Sequence, residues 1–417
     1  MRSLRFEPGT VARHAPDLAG HCQRCPDGFC RGNCDGGGSS SESTDVGNTT
    51  NGDAENQDSD DVENDASEDA VAADSTADDA EVESTAQPAD DDANGEGTIA
   101  LAAENESAHE ISNGNELSSK LSDKDLRDGN GSATFKLVND IEYSGEIRLE
   151  QTDDNPINIT LDLNGHKIKC LNTDKPLFDI ANGATLTIKD SAQANETVSE
   201  GQQLTNQGQS LNPANYGKIA ELIHGNDGIP SHLTYYVTES TPSGTGTTET
   251  LVKHDVDIEG AIVACNGNAN LRLINLYNNN GKGSFNLVSG VITQKKGGRV
   301  SSLVYAENGS TVNMSGGYVC GASSSGAGAG IKVSNAKGVA STLNLTGGVI
   351  AGNSAPNGGG VYAKDSTVTM TNGVISGNST LPSGAGFGGG IMAKNGSVTV
   401  SGGYITNNKY ANFCGQD

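Results

Sequence analysis

The sequence predicts an all-β fold in which short parallel strands wind into a solenoid. Two observations predict it. A pattern of alternating apolar and polar residues recurs five times in the last third of the chain, and glycine accounts for 56 of the 417 residues, about twice its usual share. No single copy of the pattern has enough apolar side chains for a core, so we expect successive copies to stack and share one.

The repeat begins with a block of eight residues. Its copies start at intervals of 27, 31, 25 and 30 residues, which predicts coils of about 25–31 residues. A leucine-rich repeat would need a helical leg, and a propeller blade would need longer strands; neither pattern occurs. The five copies are FNLVSGVI (285–292), VNMSGGYV (312–319), LNLTGGVI (343–350), VTMTNGVI (368–375) and VTVSGGYI (398–405).

A second block of five residues recurs between the copies of the first. It reads VYAEN at 304–308, IKVSN at 331–335, VYAKD at 361–365 and IMAKN at 391–395. The two blocks contain three columns of apolar residues, and we expect each column to stack on itself along the solenoid. The columns are Leu287, Met314, Leu345, Met370 and Val400; Ile292, Val319, Ile350, Ile375 and Ile405; and Val304, Ile331, Val361 and Ile391.

Glycine and asparagine are expected at the corners between strands. Glycine readily adopts the left-handed backbone that a tight corner needs, and asparagine tolerates it. The Gly-Asn pairs at 352–353 and 377–378, and the equivalent Asn407 and Asn408, are predicted at one such corner. Stacked amides there would hydrogen-bond from coil to coil.

The strand pattern starts near residue 116 and is interrupted once. Segments 157–169 and 183–190 alternate apolar and polar residues in the same way as the later repeats. Residues 191–260 are polar and rich in turn residues. We interpret them as an irregular excursion from the repeat, with short strands of its own around 232–239.

The segment before the repeat is predicted to be a disordered acidic linker. From Ser41 to Glu110 the chain has 23 Asp and Glu and no Lys or Arg, so this stretch carries most of the net charge of −27. It has almost no large apolar side chains, and burial therefore cannot offset the loss of chain entropy. The predicted domains are residues 1–40, poorly ordered and containing cysteines; 41–115, the acidic linker; and 116–417, the β-helix.

Four cysteines lie close together near the N-terminus: Cys22, Cys25, Cys30 and Cys34. Four thiolates can bind zinc tetrahedrally. Two disulfides would join them if the segment is exported, and an unfolded leader would need neither. The sequence leaves these alternatives open, and zinc is the one cofactor it suggests. Elsewhere, Cys320 aligns with small residues of later coils, which predicts a small-residue slot rather than a disulfide.

Several segments resemble a known family. TLDLNGHKI (160–168), GATLTIKD (183–190), GGVIAGNSAPNGGGVYAK (347–364) and SGGYITNN (401–408) are similar to the right-handed parallel β-helix repeats of adhesin-like bacterial cell-surface proteins, which are pectate-lyase-like in fold. The resemblance covers roughly residues 116–417. It implies a right-handed coil and an extracellular or cell-surface location, but no particular activity.

The N-terminus lacks the apolar stretch of a signal peptide. To reconcile this with the implied location, we expect the natural chain to extend beyond the sequence given or to start elsewhere. No apolar run is long enough for a transmembrane helix. No basic footprint suggests nucleic acid as a partner.

Charged and aromatic residues of the second block are the candidate binding residues. The charged residues follow the same short strand in successive coils. They form either a solvent-exposed edge with weak ion pairs or a shallow surface for a ligand. Tyrosines on this strand could stack on sugars, although Tyr318 and Tyr404 belong to another column and one platform is not assured. The ligand-face candidates are Tyr305, Glu307, Tyr362, Lys364, Asp365 and Lys394.

No catalytic residue is predicted. The leading hypothesis is a non-enzymatic, adhesin-like surface protein whose rigid β-helix presents a face to glycan or to a protein of a host or neighbouring cell. One alternative is an extracellular polysaccharide lyase or hydrolase, with its site supplied by residues 191–260 or by further coils expected beyond residue 417. Another is a purely structural surface stalk.

Overall fold

The computed structural model describes residues 11–12, 108–152, 156–192, 195–204, 220–243, 246–277, 282–380 and 386–416. Within these ranges the chain is almost entirely β-structure, with one α-helix, Gly114–Ser122, and one short 3-10 helix, Lys124–Leu126. The four N-terminal cysteines and residues 41–107 lie outside the described ranges. The predictions of zinc, of disulfides and of a disordered linker therefore remain predictions.

Each coil of the solenoid contributes a strand, or part of a longer strand, to each of three parallel sheets that we number 1, 2 and 3 in chain order. Sheet 3 contains eight strands, one for each coil. Sheet 1 has an additional strand, His109–Ile111, ahead of the first coil, and Val11–Ala12 pairs antiparallel with its last strand. This architecture confirms the predicted parallel β-solenoid.

In coils 6 and 7 one long strand serves both sheet 1 and sheet 2. A short pair, Ser354–Ala355 and Ser379–Thr380, joins these coils between sheets 2 and 3. Coil by coil, the strands are Ser132–Leu137, Ile141–Tyr143 and Ile147–Glu150; Asn158–Asp162, Lys167–Cys170 and Phe178–Ala181; Thr185–Lys189, Ala261–Ala264 and Arg272–Leu276; Ser284–Leu287, Val291–Gln294 and Ser302–Ala306; Thr311–Met314, Tyr318–Cys320 and Ile331–Ser334; Thr342–Ala351 and Val361–Lys364; Thr367–Ser376 and Ile391–Lys394; and Ser397–Val400, Tyr404–Thr406 and Phe413–Gln416.

The strand register confirms the three predicted apolar columns. Leu287 pairs with Met314 in sheet 1, and Ile292 pairs with Val319 in sheet 2. In sheet 3, Val304 pairs with the next member of its column in the same way. Every column member is buried. Each coil contributes only a few apolar side chains, but the coils above and below complete the core.

The predicted corner at 352–353 and 377–378 is also confirmed, with one refinement. The left-handed backbone falls on Gly352, Gly377 and Asn407, at φ 66°, 64° and 56°. The following asparagines, Asn353 and Asn378, are fully buried and point into the solenoid, where they form an amide ladder. The amide ladder satisfies backbone groups that the corner would otherwise leave unpaired.

The excursion forms a separate antiparallel sheet, which we call the insertion sheet. Its strands, in spatial order, are Glu196–Leu204, Gly246–Asp257, Pro230–Ser243 and Ala220–His224. Pro230–Ser243 covers the predicted 232–239 segment but is much longer than the short strand expected there. The chain leaves coil 3 after Lys189 and returns to it at Ala261.

The insertion sheet packs on the outer surface of sheet 2. Leu233 and Val237 from the insertion pack with Val263, Val291 and other apolar residues of sheet 2 in one buried cluster. The middle of sheet 2, including Ala261–Ala264 and Val291–Gln294, is therefore buried on both faces, whereas Tyr318 and Tyr404 at its outward surface are only partly buried. This packing explains the predicted small-residue slot, because Cys320 lies in this cluster and is fully buried.

The α-helix Gly114–Ser122 covers the first coil and was not predicted. Leu117 and Leu121 on one face join the solenoid core. Asn113 caps the helix by accepting a hydrogen bond from the Glu116 amide, and Glu116 accepts one from the Ser112 amide. The Asn-x-x-Glu spacing is that of a capping box, although the Glu116 carboxylate accepts from Ser112, the residue before the cap, rather than from Asn113 itself.

Candidate functional site

The outer surface of sheet 3 carries two rows of side chains. In the first row, Asn275, Tyr305, Lys332, Tyr362 and Met392 are neighbours on successive coils. The second row lies two residues further along each strand. It contains Glu307, Ser334, Lys364 and Lys394. Five of the six predicted ligand-face residues thus lie on one surface.

Tyr305 lies between two cations. The guanidinium carbon of Arg272 is 4.3 Å from the Tyr305 ring centroid, and the ammonium nitrogen of Lys332 is 4.9 Å from it. Arg272 also stacks on Tyr277, at 4.9 Å. Such cation–π contacts are worth roughly 0.5–2 kcal/mol each, depending on how far they are desolvated. They fix Arg272 and Lys332 on the surface of sheet 3.

The expectation of an exposed position is wrong for Tyr305 and Glu307, which are only 4% and 7% exposed. The physical reason is the contact with neighbouring coils. Arg272 and Lys332 cover the Tyr305 ring, and the Ser334 hydroxyl donates to Glu307 Oε1 at 2.9 Å. These two residues support the surface rather than form its accessible part.

Asp365 lies at a corner one position beyond the row of charged side chains. Its backbone is left-handed, with φ 49°, as is that of the equivalent Asn308 and Asn395. The exposed Lys364 and Lys394 precede this corner on adjacent coils and pair in register. Lys364 and Lys394 therefore face solvent together, whereas Asp365 shapes the turn.

We call the accessible group Arg272, Tyr277, Lys332, Tyr362, Lys364 and Lys394 the cation–tyrosine face. Within the described ranges, none of its four cations has a carboxylate oxygen within 4.0 Å. Burial and the neighbouring charge of Arg272 lower the pKa of Lys332, and burial raises the pKa of Tyr362. Glu307 lies close enough to attract Lys332, and Asp179 close enough to attract Arg272, but the four cations form no direct ion pair and so remain able to bind an anion.

A different surface holds the other two tyrosines. Tyr318 and Tyr404 lie in the same outward column of sheet 2, with Val349 and Val374 on the coils between them. This column borders a groove of about 340 Å³ between the corner of sheets 1 and 2 and the edge of the insertion sheet. Glycines of three successive coils line the groove, together with Asn372 and Glu196. We call this the Glu196 groove.

Glu196 is the centre of a hydrogen-bonded cluster at the groove wall. Its Oε1 accepts from the Tyr235 hydroxyl at 2.6 Å and lies 2.8 Å from His254 Nδ1, and its Oε2 accepts from the Tyr318 hydroxyl at 3.0 Å. The Tyr235 and His254 rings stack, with centroids 4.6 Å apart. Glu196, Tyr235 and His254 come from the insertion and Tyr318 from coil 5, so the cluster joins the two.

The shifted pKa values of Glu196 and Tyr318 make both groups unsuited to acid–base catalysis. The hydrogen bond from His254 is the main cause of the lowered pKa of Glu196. Burial and the adjacent carboxylate raise the pKa of Tyr318. A poor base next to a poor acid does not move protons readily near neutral pH. Among the described lining residues Glu196 is the one carboxylate, whereas glycoside hydrolysis ordinarily uses a pair.

The contacts within the Glu196 cluster could not be predicted from sequence, because Glu196 and Tyr318 are far apart in the chain and belong to no common repeat.

Among the described residues, no group of three or more His, Cys, Asp and Glu side chains is placed to hold a metal ion. No helix of the described structure is long and apolar enough to cross a membrane.

No protein-family model, no curated protein and no solved structure matches this chain significantly. The class of protein that the structure defines is a parallel β-solenoid with an antiparallel insertion.

Proposed function

We propose that this protein is a non-enzymatic, adhesin-like β-solenoid that binds an acidic glycan along the cation–tyrosine face, outside the cell or at its surface. The observation that carries the proposal is the set of four cations without ion-pair partners, Arg272, Lys332, Lys364 and Lys394, on one side of the rod. Successive coils are about 4.8 Å apart, so coils 3 to 7 span roughly 19 Å. A linear polymer could contact several of these side chains in turn.

The chemistry of the face favours a carboxylated or sulfated sugar chain. Guanidinium and ammonium groups bind carboxylate and sulfate by charge-assisted hydrogen bonds. Exposed faces of Tyr277 and Tyr362 offer apolar surface to the C–H side of a pyranose ring. Residues 285–405 carry seven Lys and Arg against two Asp and Glu, so the repeat itself is net basic and favours an anionic ligand.

Binding to polygalacturonate and to a sulfated glycan, with dextran as a neutral control, tests the proposal. The double variant Lys364→Gln/Lys394→Gln is expected to weaken binding about tenfold, since each exposed contact contributes up to about 1 kcal/mol. The matched control is Lys124→Gln/Lys175→Gln, which removes two exposed lysines elsewhere and should leave affinity unchanged. Affinity should also fall as salt rises.

Two results would overturn this function. Equal binding of dextran and the acidic polymers would show that charge does not select the ligand. Release of unsaturated or reducing sugars from a bound polymer would show that the protein is an enzyme.

A further inference from the structure

The Glu196 groove is a second concave surface that the proposed acidic-glycan site does not use. It lies at the corner between sheets 1 and 2, whereas the cation–tyrosine face lies on sheet 3. Its volume of about 340 Å³ is within the range of small-ligand sites.

The floor of the groove is made of glycine. Gly317, Gly348 and Gly373 take left-handed backbone, at φ 70°, 80° and 102°, in three successive coils. The corner itself requires this backbone, because an added Cβ at Gly348 would clash with the Gly316 carbonyl and the Met314 side chain. The floor of the groove is therefore backbone, to which these three positions add no side chain.

The walls supply apolar surface at the spacing of the coils. Tyr318 and Tyr404 are three coils apart, or roughly 14 Å, and Val349 and Val374 occupy the coils between them. Tyr318, Val374 and Tyr404 are only partly buried. Val349 is buried, so the apolar surface comes from an aromatic ring at each end and Val374 between them, which can contact the C–H faces of successive sugars in a chain.

The polar groups of the groove are positioned in advance. Three donors from Tyr235, His254 and Tyr318 hold the Glu196 carboxylate, and Oε2 takes only one of them. A carboxylate oxygen has room for a further donor, such as a sugar hydroxyl. The exposed Asn372 amide lies in the same lining and offers both a donor and an acceptor.

We propose that the Glu196 groove is a second, independent binding site, and that its ligand is an uncharged pyranose unit of a glycan. Charge decides the class of sugar. Glu196 is the one charged residue among the described lining residues, so a uronate, sialate or sulfated sugar would be repelled and would find no cation. The groove therefore selects against the ligands that the cation–tyrosine face attracts.

Saturation-transfer NMR on the full chain tests this site, with neutral oligomers of glucose, galactose, mannose, xylose and N-acetylglucosamine as probes. We expect at least one neutral series to bind, and trigalacturonate not to compete with it. Tyr404→Ala should weaken that binding at least tenfold, while Tyr404→Phe should keep most of it, because the ring is retained. The matched control is Tyr410→Ala, which removes an exposed tyrosine outside the groove.

The site is disproved if no neutral series binds at millimolar concentration, if trigalacturonate competes equally, or if Tyr404→Ala and Tyr410→Ala have the same effect. Equal urea midpoints for all three variants will show that any loss is not due to unfolding. Loss of neutral binding in Lys364→Gln/Lys394→Gln would also overturn it, since that result would place the sugar on sheet 3. Acidic-polymer binding is measured separately, so either proposal can fail alone.

Discussion

Asn353 donates from its side-chain amide to the side-chain oxygen of Asn378 on the next coil, at 3.0 Å. Asn378 repeats the contact with Asn408 at 2.9 Å, and each amide also donates to a backbone carbonyl of the preceding coil. The Asn378 oxygen also accepts the Asn353 backbone N–H. The amide ladder therefore links coils 6, 7 and 8 through fully buried polar groups.

Replacing Asn378 by alanine should destabilise the protein by about 3 kcal/mol, because it leaves two buried Asn353 donors without an acceptor. Urea unfolding followed by circular dichroism measures the change. Asn130→Ala is the matched control, because Asn130 is exposed on a turn, and it should shift the midpoint little. An Asn378→Ala midpoint as high as that of the control would show that the amide ladder contributes nothing to stability.

Cys320→Leu should destabilise the packing between sheet 2 and the insertion sheet. Cys320 is fully buried in the interface, where its neighbours in register are Thr293 and Ala351. A leucine there has no space, and overpacking a core position costs about 1–3 kcal/mol. Cys320→Ala introduces the same residue type as Ala351, its neighbour on the next coil, and should lower the free energy of unfolding by about 1 kcal/mol or less. Thermal unfolding midpoints compare the two, and a leucine variant as stable as the alanine variant would contradict the tight fit.

Thiol chemistry gives a second measure of the same interface. Burial raises the pKa of the Cys320 thiol to about 12, so this residue should resist alkylation in the native protein. Mass spectrometry after iodoacetamide treatment should show Cys320 unmodified until denaturant is added. Rapid labelling in the native state would mean that the insertion sheet opens.

His232 should make stability depend on pH. Burial opposes its protonation, but the hydrogen bonds to Asp257 and Asp255, at 3.0 and 3.2 Å, outweigh burial and raise its pKa. A folded pKa above the ordinary value of about 6.5 means that the protonated imidazole stabilises the fold fully below that pH. This contribution is lost as the pH rises through the folded pKa.

Comparing the wild-type protein with His232→Gln isolates this effect. The difference in unfolding free energy between the two should be largest near pH 5.5 and should shrink by pH 8.5. A difference that stays constant with pH would show that His232 contributes through packing rather than charge. Lys253 also contacts Asp255, at 2.6 Å, but should stay protonated over this range and so should not produce the change.

The repeat could be predicted from the sequence because its signal is local and recurs. Leu345 and Met370 occupy the same place in two copies of one block, and stacking identical coils leaves them no other partner. The corner at Gly352 was equally predictable, because a Gly-Asn pair recurs at the same place in the next coil, at 377–378. The spacing of the cap Asn113 and Glu116 carried a signal for the unpredicted helix, although one short turn of polar residues is easily interpreted as a loop.

The binding surfaces could be predicted only in part. Lys364 and Lys394 recur within the repeat, and their shared surface follows from it. The burial of Tyr305 depends on Arg272, which lies on another coil outside the recurring block. Glu196 meets Tyr318 only because the insertion sheet packs back on sheet 2. Such contacts between a non-repeating segment and a repeat have no periodicity that a sequence could show.

Both ends of the insertion join the solenoid at one corner of coil 3. Asp190, where the chain leaves coil 3, accepts the backbone N–H of Gly260, where it returns, at 3.0 Å. In coil 4 the same two sheets are joined by only three residues, 288–290. Coil 3 could therefore be closed by an equally short corner, and the insertion is a cassette added at that corner, whose removal would expose the apolar outer face of sheet 2. Exchange of this cassette would alter one side of the rod while leaving the opposite side, and whatever it binds, untouched.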